Sequence, residues 1–279
     1  MKTFTFFLIL SFALFDTAIG QNINLMTFNI RYNNESDGIN KWENRKDRAA
    51  EMLKFYDISI CGMQEALIGQ INDLQERLPE YTHFGLGRDD GKEKGEFSPI
   101  FYNTTKLKVL KQETFWLSET PDKPSKGWDA NLPRIVTWGY FLDLKTKKKF
   151  YVFNTHYDHI GKIARAESSK LLLKKIKEIA GDATVFLMGD FNATPKDEPI
   201  KIIAETLFET SALSQTPHFG PESTFNGFIA KEQENRKIDH IFVNNKNMKV
   251  LKHATLSNTW AGLFASDHHP VMTSISLNN

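Results

Sequence analysis

The spacing of apolar and polar positions changes along this chain, and each change predicts an element. Residues 23–30 alternate and are rich in apolar side chains, which predicts an opening strand. Residues 42–56 carry Ala49, Met52, Leu53 and Tyr56 along one helical face. A short buried strand is predicted at 58–63, a helix at 69–78 ended by Pro79, and strands at 81–86, 98–102 and 107–117. Residues 118–133 hold three prolines, a glycine and many polar groups, so they read as a long loop of the kind that often carries function. Residues 134–144 and 150–154 form a predicted hairpin across the Lys-rich turn 145–149. The clearest helix is 163–180, striped by Leu172, Leu173, Ile176 and Ile179 and placed for a C-terminal cap by Gly181. A buried strand at 183–188 then delivers Gly189-Asp190, a helix follows at 200–207, and strands at 237–243, 248–254 and 270–277 close the pattern. No linker-like stretch or fixed repeat interrupts it. Strands flank helices at both ends, which predicts one α+β domain of two packed sheets covered by helices.

Composition changes this picture in three places. Residues 1–20 read as a secretory leader: Lys2 supplies the positive start, 4–15 is nearly all apolar yet too short to span a bilayer, and Ala18-Ile19-Gly20 offers small residues before a cut. The expected division is therefore a leader at 1–20 and a mature domain at 21–279, exported to a periplasm or the exterior, with no stable membrane insertion. Cys61 is the single cysteine, so no intrachain disulfide forms, and its apolar surroundings predict a buried thiol. No cysteine stands at the predicted cut to carry a lipid, and export without disulfides suits a bacterial protein. Asn34 and Asn103 lie in glycosylation sequons that matter only in a eukaryote. The formal net charge of +1 gives no global basic field to gather nucleic acid, although a local basic groove stays compatible with it.

Five motifs carry candidate chemistry, each within or just after an apolar run: Thr27-Phe28-Asn29, Met63-Gln64-Glu65, Asn154-Thr155-His156, Gly189-Asp190-Phe191-Asn192 and Ser266-Asp267-His268. Glu65 at a strand end is a hard oxygen donor suited to Mg²⁺. Asn29 can bind a metal or a phosphate oxygen. Asp190 can orient or deprotonate an attacking water, and Asn192 can donate to a developing phosphorane oxygen. His156 and His268 can offset charge on the non-bridging oxygens, provided an acid fixes each imidazole. Asp239, in Lys237-Ile238-Asp239-His240, is the candidate acid for His268.

These motifs, in this order, resemble the endonuclease/exonuclease/phosphatase superfamily of secreted deoxyribonucleases, abasic-site endonucleases, deadenylases, inositol-phosphate phosphatases and sphingomyelinases. The resemblance spans essentially the whole mature chain. It implies a four-layer α/β/β/α sandwich of two mainly antiparallel sheets, Mg²⁺ (with Mn²⁺ as substitute) and hydrolysis of phosphate esters. It also implies roles: Glu65 as main metal ligand with Asn29 and Asp267 beside it, His156 and Asn192 on the phosphate, Asp190 on the water, and Asp239 orienting His268. Glu96 matches the acid that orients the first histidine in the deoxyribonuclease branch, and Tyr102 is a candidate phosphate contact. Asn154-Thr155-His156-Tyr157-Asp158-His159, Ala164-Arg165-Ala166-Glu167 and Leu132-Pro133-Arg134 resemble the exported bacterial members. Arg134, Asp158 and Arg165 are therefore candidate substrate-binding residues, an arginine being a natural bidentate clamp for phosphate.

Several readings stay open on the sequence alone. Arg165 suits a solvated helix face as well as a phosphate site, and His159 and His240 suit supporting roles. Trp116, Trp128, Trp138 and Trp260 suit packing at least as well as a substrate groove. Within the enzyme class, a nuclease, a phosphatase with an Arg-clamped pocket and a lipid phosphodiesterase using an apolar loop at 219–228 all remain. A non-catalytic binding protein on the same fold is the alternative from another class. The substrate and the oligomeric state are not written in these motifs.

Overall fold

A computed structural model describes residues 22–231, 233–244 and 248–277. The leader predicted at 1–20 lies outside the described residues. Among them, no helix is long and apolar enough to cross a membrane.

Among the described residues, twelve strands form two sheets. In chain order they are β1 (Ile23–Asn29), β2 (Ile60–Gln64), β3 (Tyr81–Phe84), β4 (Ile100–Asn103), β5 (Leu107–Trp116), β6 (Ile135–Asp143), β7 (Lys149–His156), β8 (Val185–Asp190), β9 (Phe208–Glu209), β10 (Asp239–Val243), β11 (Met248–Thr255) and β12 (Val271–Leu277). One sheet runs β11-β12-β1-β2-β4-β3 and the other β5-β6-β7-β8-β10-β9. Only β1 with β2 and β7 with β8 pair in parallel; every other ladder is antiparallel. Helices α1 (Lys46–Phe55) and α2 (Ile68–Arg77) lie on the first sheet, burying Met52, Leu53, Ile71 and Leu74 against Met26, Phe28 and Phe101. Helices α3 (Lys162–Ala180) and α4 (Glu198–Ala204) lie on the second, burying Leu172, Ile176 and Ile203 against Phe153, Leu187 and Phe242. A short α5 (Thr210–Leu213) follows β9. Between the sheets, Leu25, Ile60, Ile100, Phe141, Phe150 and Phe186 form the central core. The result is the expected α/β/β/α sandwich.

Both parallel pairs arise where an amphipathic helix crosses over between two apolar strands, and they set the registers that matter. Asn29 lies opposite Gln64 in β1/β2. Asp190 lies between His156 on β7 and Asp239 on β10. Beneath these ends a buried polar bridge joins the sheets. Gln64 donates to Thr27 Oγ1 (3.0 Å) and Asn154 Oδ1 (2.7 Å), and Asn154 donates to the carbonyls of Met63 (2.8 Å) and Pro99 (3.0 Å). Three motif residues thus serve to hold the two sheets in register, since unsatisfied buried amides would cost more than the bridge. Gly62 is required beside it: a Cβ there would stand 2.6 Å from Asn154 Oδ1.

Two expectations differ in detail. The helix predicted over 42–56 is a 3₁₀ turn at Trp42–Asn44 followed by α1, with Arg45 between them turning its side chain inward. In the predicted stripe of α3, Leu172 and Ile176 are buried while Leu173 and Ile179 are half-buried. Gly181 caps that helix at φ +57°, as its position predicts. Cys61 is fully buried and burial pushes its thiol pKa up.

Candidate active site

The ends of β1, β2, β7, β8 and β10 and the loop before β12 converge on a concave pocket of about 530 Å³. Its centre is Asp190 Oδ2. That oxygen accepts from Asn29 Nδ2 (2.9 Å) and stands 3.6 Å from His156 Nε2 and 3.8 Å from His268 Nε2. Asp190 Oδ1 accepts from the Asn192 backbone N–H (2.9 Å). Close approach makes this geometry possible: a Cβ at Gly189 would lie 2.2 Å from the Thr155 carbonyl oxygen.

The two histidines sit in opposite electrostatic settings. His268 Nδ1 donates to Asp239 Oδ2 at 2.9 Å. Burial opposes its charge, but Asp239, with Asp190 and Asp267, outweighs it and raises its pKa to about 10. His156 is driven well below the ordinary imidazole value, first by burial and then by Arg134 and Arg88. Its Nε2 accepts from Asn192 Nδ2 (3.1 Å), which leaves the proton on Nδ1, facing Glu96 Oε2 at 3.8 Å. Asp190 is pushed up, by burial and then by neighbouring Asp239, so it is a stronger base than an ordinary carboxylate. Asp267 is raised as well, mainly by burial.

Glu65 and Asp267 form the acidic wall. Glu65 accepts from Asn29 Nδ2 (3.1 Å) and the Tyr32 N–H (3.2 Å), and Asp267 accepts from Ser266 Oγ (3.2 Å). Ser266 Oγ also donates to the Asn29 carbonyl (2.7 Å), joining the β1 end to the loop before β12. Backbone strain concentrates here: Arg31, Glu65 and Asn192 adopt φ of 55°, 60° and 46°, where non-glycine residues are uncommon.

Most of the predicted residues meet in this site, with four qualifications. In this arrangement Asn29 Oδ1 accepts from the Arg31 N–H (3.0 Å), and its amide N–H groups tie Glu65 to Asp190. Tyr102 lies away from the pocket, half-buried between the sheets and edge-on to Phe141 at a centroid separation of 5.5 Å. Its strand faces that side chain inward, so the phosphate contact expected of it is corrected. Arg165 also misses the pocket; it donates to the Asp158 carbonyl (2.9 Å) and so braces the loop after β7. Asp158 is buried and acts through Arg134, accepting from its Nε (3.3 Å) and from the N–H groups of Ile160 and Gly161 (3.0 and 2.8 Å). Arg134 itself lines the pocket and donates to His159 Nδ1 (3.0 Å).

Sequence reasoning missed three arginines. Arg88 grips both oxygens of Glu96, at 2.7 and 2.9 Å. Arg45, fully buried, donates to the carbonyls of Asn40, Ile30, Arg31 and Ala265, on both sides of the acidic wall. Burial lowers its pKa to about 10. Arg31 reaches into the wall itself. Arg31 and Arg88 come just after the strands predicted at 23–30 and 81–86 but belong to none of the five motifs, and Arg45 lies within a helical pattern, where nothing marks its inward turn. Of the tryptophans, Trp138 is core and Trp116 is buried, donating to the Arg88 carbonyl (2.8 Å). In the 219–228 segment Phe219 is exposed, while Phe225 packs edge-on to His268 at 5.1 Å and walls the pocket.

The donor set fits a divalent cation. Glu65, Asp190, Asp239 and Asp267 gather hard oxygens at one rim, and Asp239 Oδ1 is buried with no hydrogen-bond partner. Among the described residues, Asp190, Asp239 and His268 bring ligand atoms within 4.8 Å of one another, though His268 Nδ1 is already engaged by Asp239. Glu65 and Asp267 supply further hard oxygens on the opposite wall.

Residues 26–268 match the Endonuclease/Exonuclease/phosphatase family. The chain belongs to that family. A solved family member from Bacteroides vulgatus is 39% identical, with 92% of this chain and 100% of that one covered and a TM-score of 0.88. A mannosyl-6-phosphatase from Bacteroides thetaiotaomicron is 37% identical, covering 91% of this chain and 100% of that one, with a TM-score of 0.88. The human nocturnin catalytic domain, solved with a bound sulfate, shares the fold at 19% identity, 92% and 94% coverage and a TM-score of 0.72.

Proposed function

We propose that this family member is an exported, divalent-metal-dependent phosphatase acting on small phosphate monoesters, carbohydrate phosphates foremost. The observation that carries the reaction is Asp190 Oδ2 standing between Asn29, His156 and His268. Asp190 takes a proton from the attacking water. Protonated His268, held by Asp239, donates to the phosphoryl oxygens as they gain charge, while the Asn192 amide, expected on the phosphate, instead holds His156 Nε2 and the Tyr157 carbonyl. Mg²⁺ or Mn²⁺ held by Glu65 and Asp267 would offset charge on the phosphate and on the leaving oxygen.

The substrate class is supported by the pocket and by likeness. A concave site of about 530 Å³ suits a small ligand, and Arg31, Arg134 and Arg236 on its walls suit a dianionic phosphate. The 37% identical relative carries a sugar-phosphatase name. The near-neutral formal charge of +1 gives little of the field a nuclease uses to gather its substrate. Residues 1–20 are read as the export leader.

The test is release of inorganic phosphate from mannose 6-phosphate and glucose 6-phosphate, beside a generic phosphodiester and a single-stranded oligonucleotide. Turnover of the sugar phosphates at least ~10-fold above the others is expected, about 1.4 kcal/mol of discrimination. Faster cleavage of the oligonucleotide would overturn the monoester reading and leave the family chemistry intact.

A further inference from the structure

Arg31 lines the pocket and also stands against its acidic wall. Its guanidinium lies 4.0 Å from Glu65 Oε2 and 3.9 Å from Asp267 Oδ2. It is not a loose surface arginine. Nε and Nη2 grip the two oxygens of Asp37, each at 3.1 Å, and the guanidinium covers the Tyr32 ring at 4.4 Å. Its backbone is fixed on both sides: the N–H donates to Asn29 Oδ1 (3.0 Å), and the carbonyl accepts from Arg45 (3.2 Å) and Gln70 (2.9 Å). The strained φ of 55° sets the direction from which the side chain enters. A guanidinium does not lose its proton in a protein, so this charge is permanent.

We propose that Arg31 is a built-in monovalent cation that shares Glu65 and Asp267 with the catalytic ion, so that the site takes one divalent ion and not two. This rests on the metal reading proposed above. A guanidinium about 4 Å from both carboxylates already offsets part of the negative charge that a second divalent ion would need. It also repels the first ion, which keeps metal affinity moderate. The Asp37 grip and the Tyr32 ring hold the cation at the wall, where a lysine in the same place would lack the fork that engages Asp37.

Mn²⁺ binding to the full chain tests this, by calorimetry for stoichiometry and affinity and by the Mn²⁺ electron paramagnetic resonance signal as a second readout. Wild type should bind one ion. Arg31→Gln, checked for unchanged melting and circular dichroism, should bind Mn²⁺ about tenfold more tightly or admit a second ion, the scale of a screened charge repulsion near 5 Å. Arg31→Lys, which keeps the charge but loses the Asp37 fork, should bind Mn²⁺ with an affinity between those of wild type and Arg31→Gln. Two ions in wild type, or unchanged binding in Arg31→Gln, would overturn the role of Arg31 while leaving a metal enzyme. Absence of Mn²⁺ binding in every variant would remove the metal reading and this inference with it.

Discussion

Asp190, Asp239 and His268 act as one unit at the scale of single residues. Asp239 fixes the proton on His268 Nδ1 and keeps the ring charged, and the charged ring faces Asp190. Replacing Asp239 with Asn keeps the shape but removes the charge that raises the imidazole pKa to about 10. The expected loss in kcat is ~10²-fold or more, as for other carboxylate-oriented histidines. Steady-state rates of phosphate release measure it, and a folded Asp239→Asn variant within threefold of wild type would contradict the assigned role. Asp190→Ala and His268→Ala should each lower kcat by at least ~10²-fold on the same assay. The strand-end position of each motif made these residues legible in the sequence, since a polar group after an apolar run must lie at the edge of a sheet. Tyr102 is not legible in this way, and Arg165 stays open between a solvated face and the site, because a strand residue points to one of two faces and a helix residue to any side, and only packing decides between them.

Elements hold this unit in place through groups that spacing alone does not reveal. Arg45 stands where the predicted 42–56 helix divides, and its guanidinium binds the carbonyls of Asn40, Ile30, Arg31 and Ala265. Arg45→Met would leave those buried acceptors unpaired, at a cost of about 3 kcal/mol. Urea denaturation checks it, with a loss below ~1 kcal/mol counting against the clasp. On the far side, His253 in β11 pairs its Nδ1 with His218 Nδ1 at 2.8 Å and is buried. Burial first, then His218, lowers the His253 pKa from 6.5 to about 3. A folded pKa below the unfolded one means the neutral ring stabilises the fold above pH 6.5, and that stability falls as pH drops from there towards 3. The expected loss from this group between pH 7.5 and 5 is roughly 2 kcal/mol. The melting temperature of His253→Gln should therefore fall less over that interval than that of wild type; equal slopes would show that His253 does not carry the acid sensitivity. Neither the arginine clasp nor the histidine pair is a local pattern. Arg45 reaches Ala265, and His218 reaches His253, across long stretches of chain.

At the scale of the whole molecule, two sheets packed face to face bring strand ends from distant parts of the chain to one rim. Their alternation was readable from residue 23 onwards, and so was the layering, because helices follow strands wherever apolar period changes from two to near four. The two-residue strand β9 and the 3₁₀ turns at 35–44 were not, since elements so short have no period to read. The Thr27, Gln64 and Asn154 bridge couples the sheets beneath the site, so the motifs that supply the chemistry also supply the residues of assembly. The central claim is that this rim works as a metal-dependent phosphatase. It is tested most directly by measuring phosphate release from a sugar phosphate against Mg²⁺ concentration, for wild type and Glu65→Gln, with and without chelator. The account predicts that chelator abolishes wild-type turnover, that Mg²⁺ restores it, and that Glu65→Gln needs at least ~10-fold more Mg²⁺ or loses ~10²-fold in rate. A wild-type rate that persists in chelator, or a Glu65→Gln profile that overlays wild type, would contradict it.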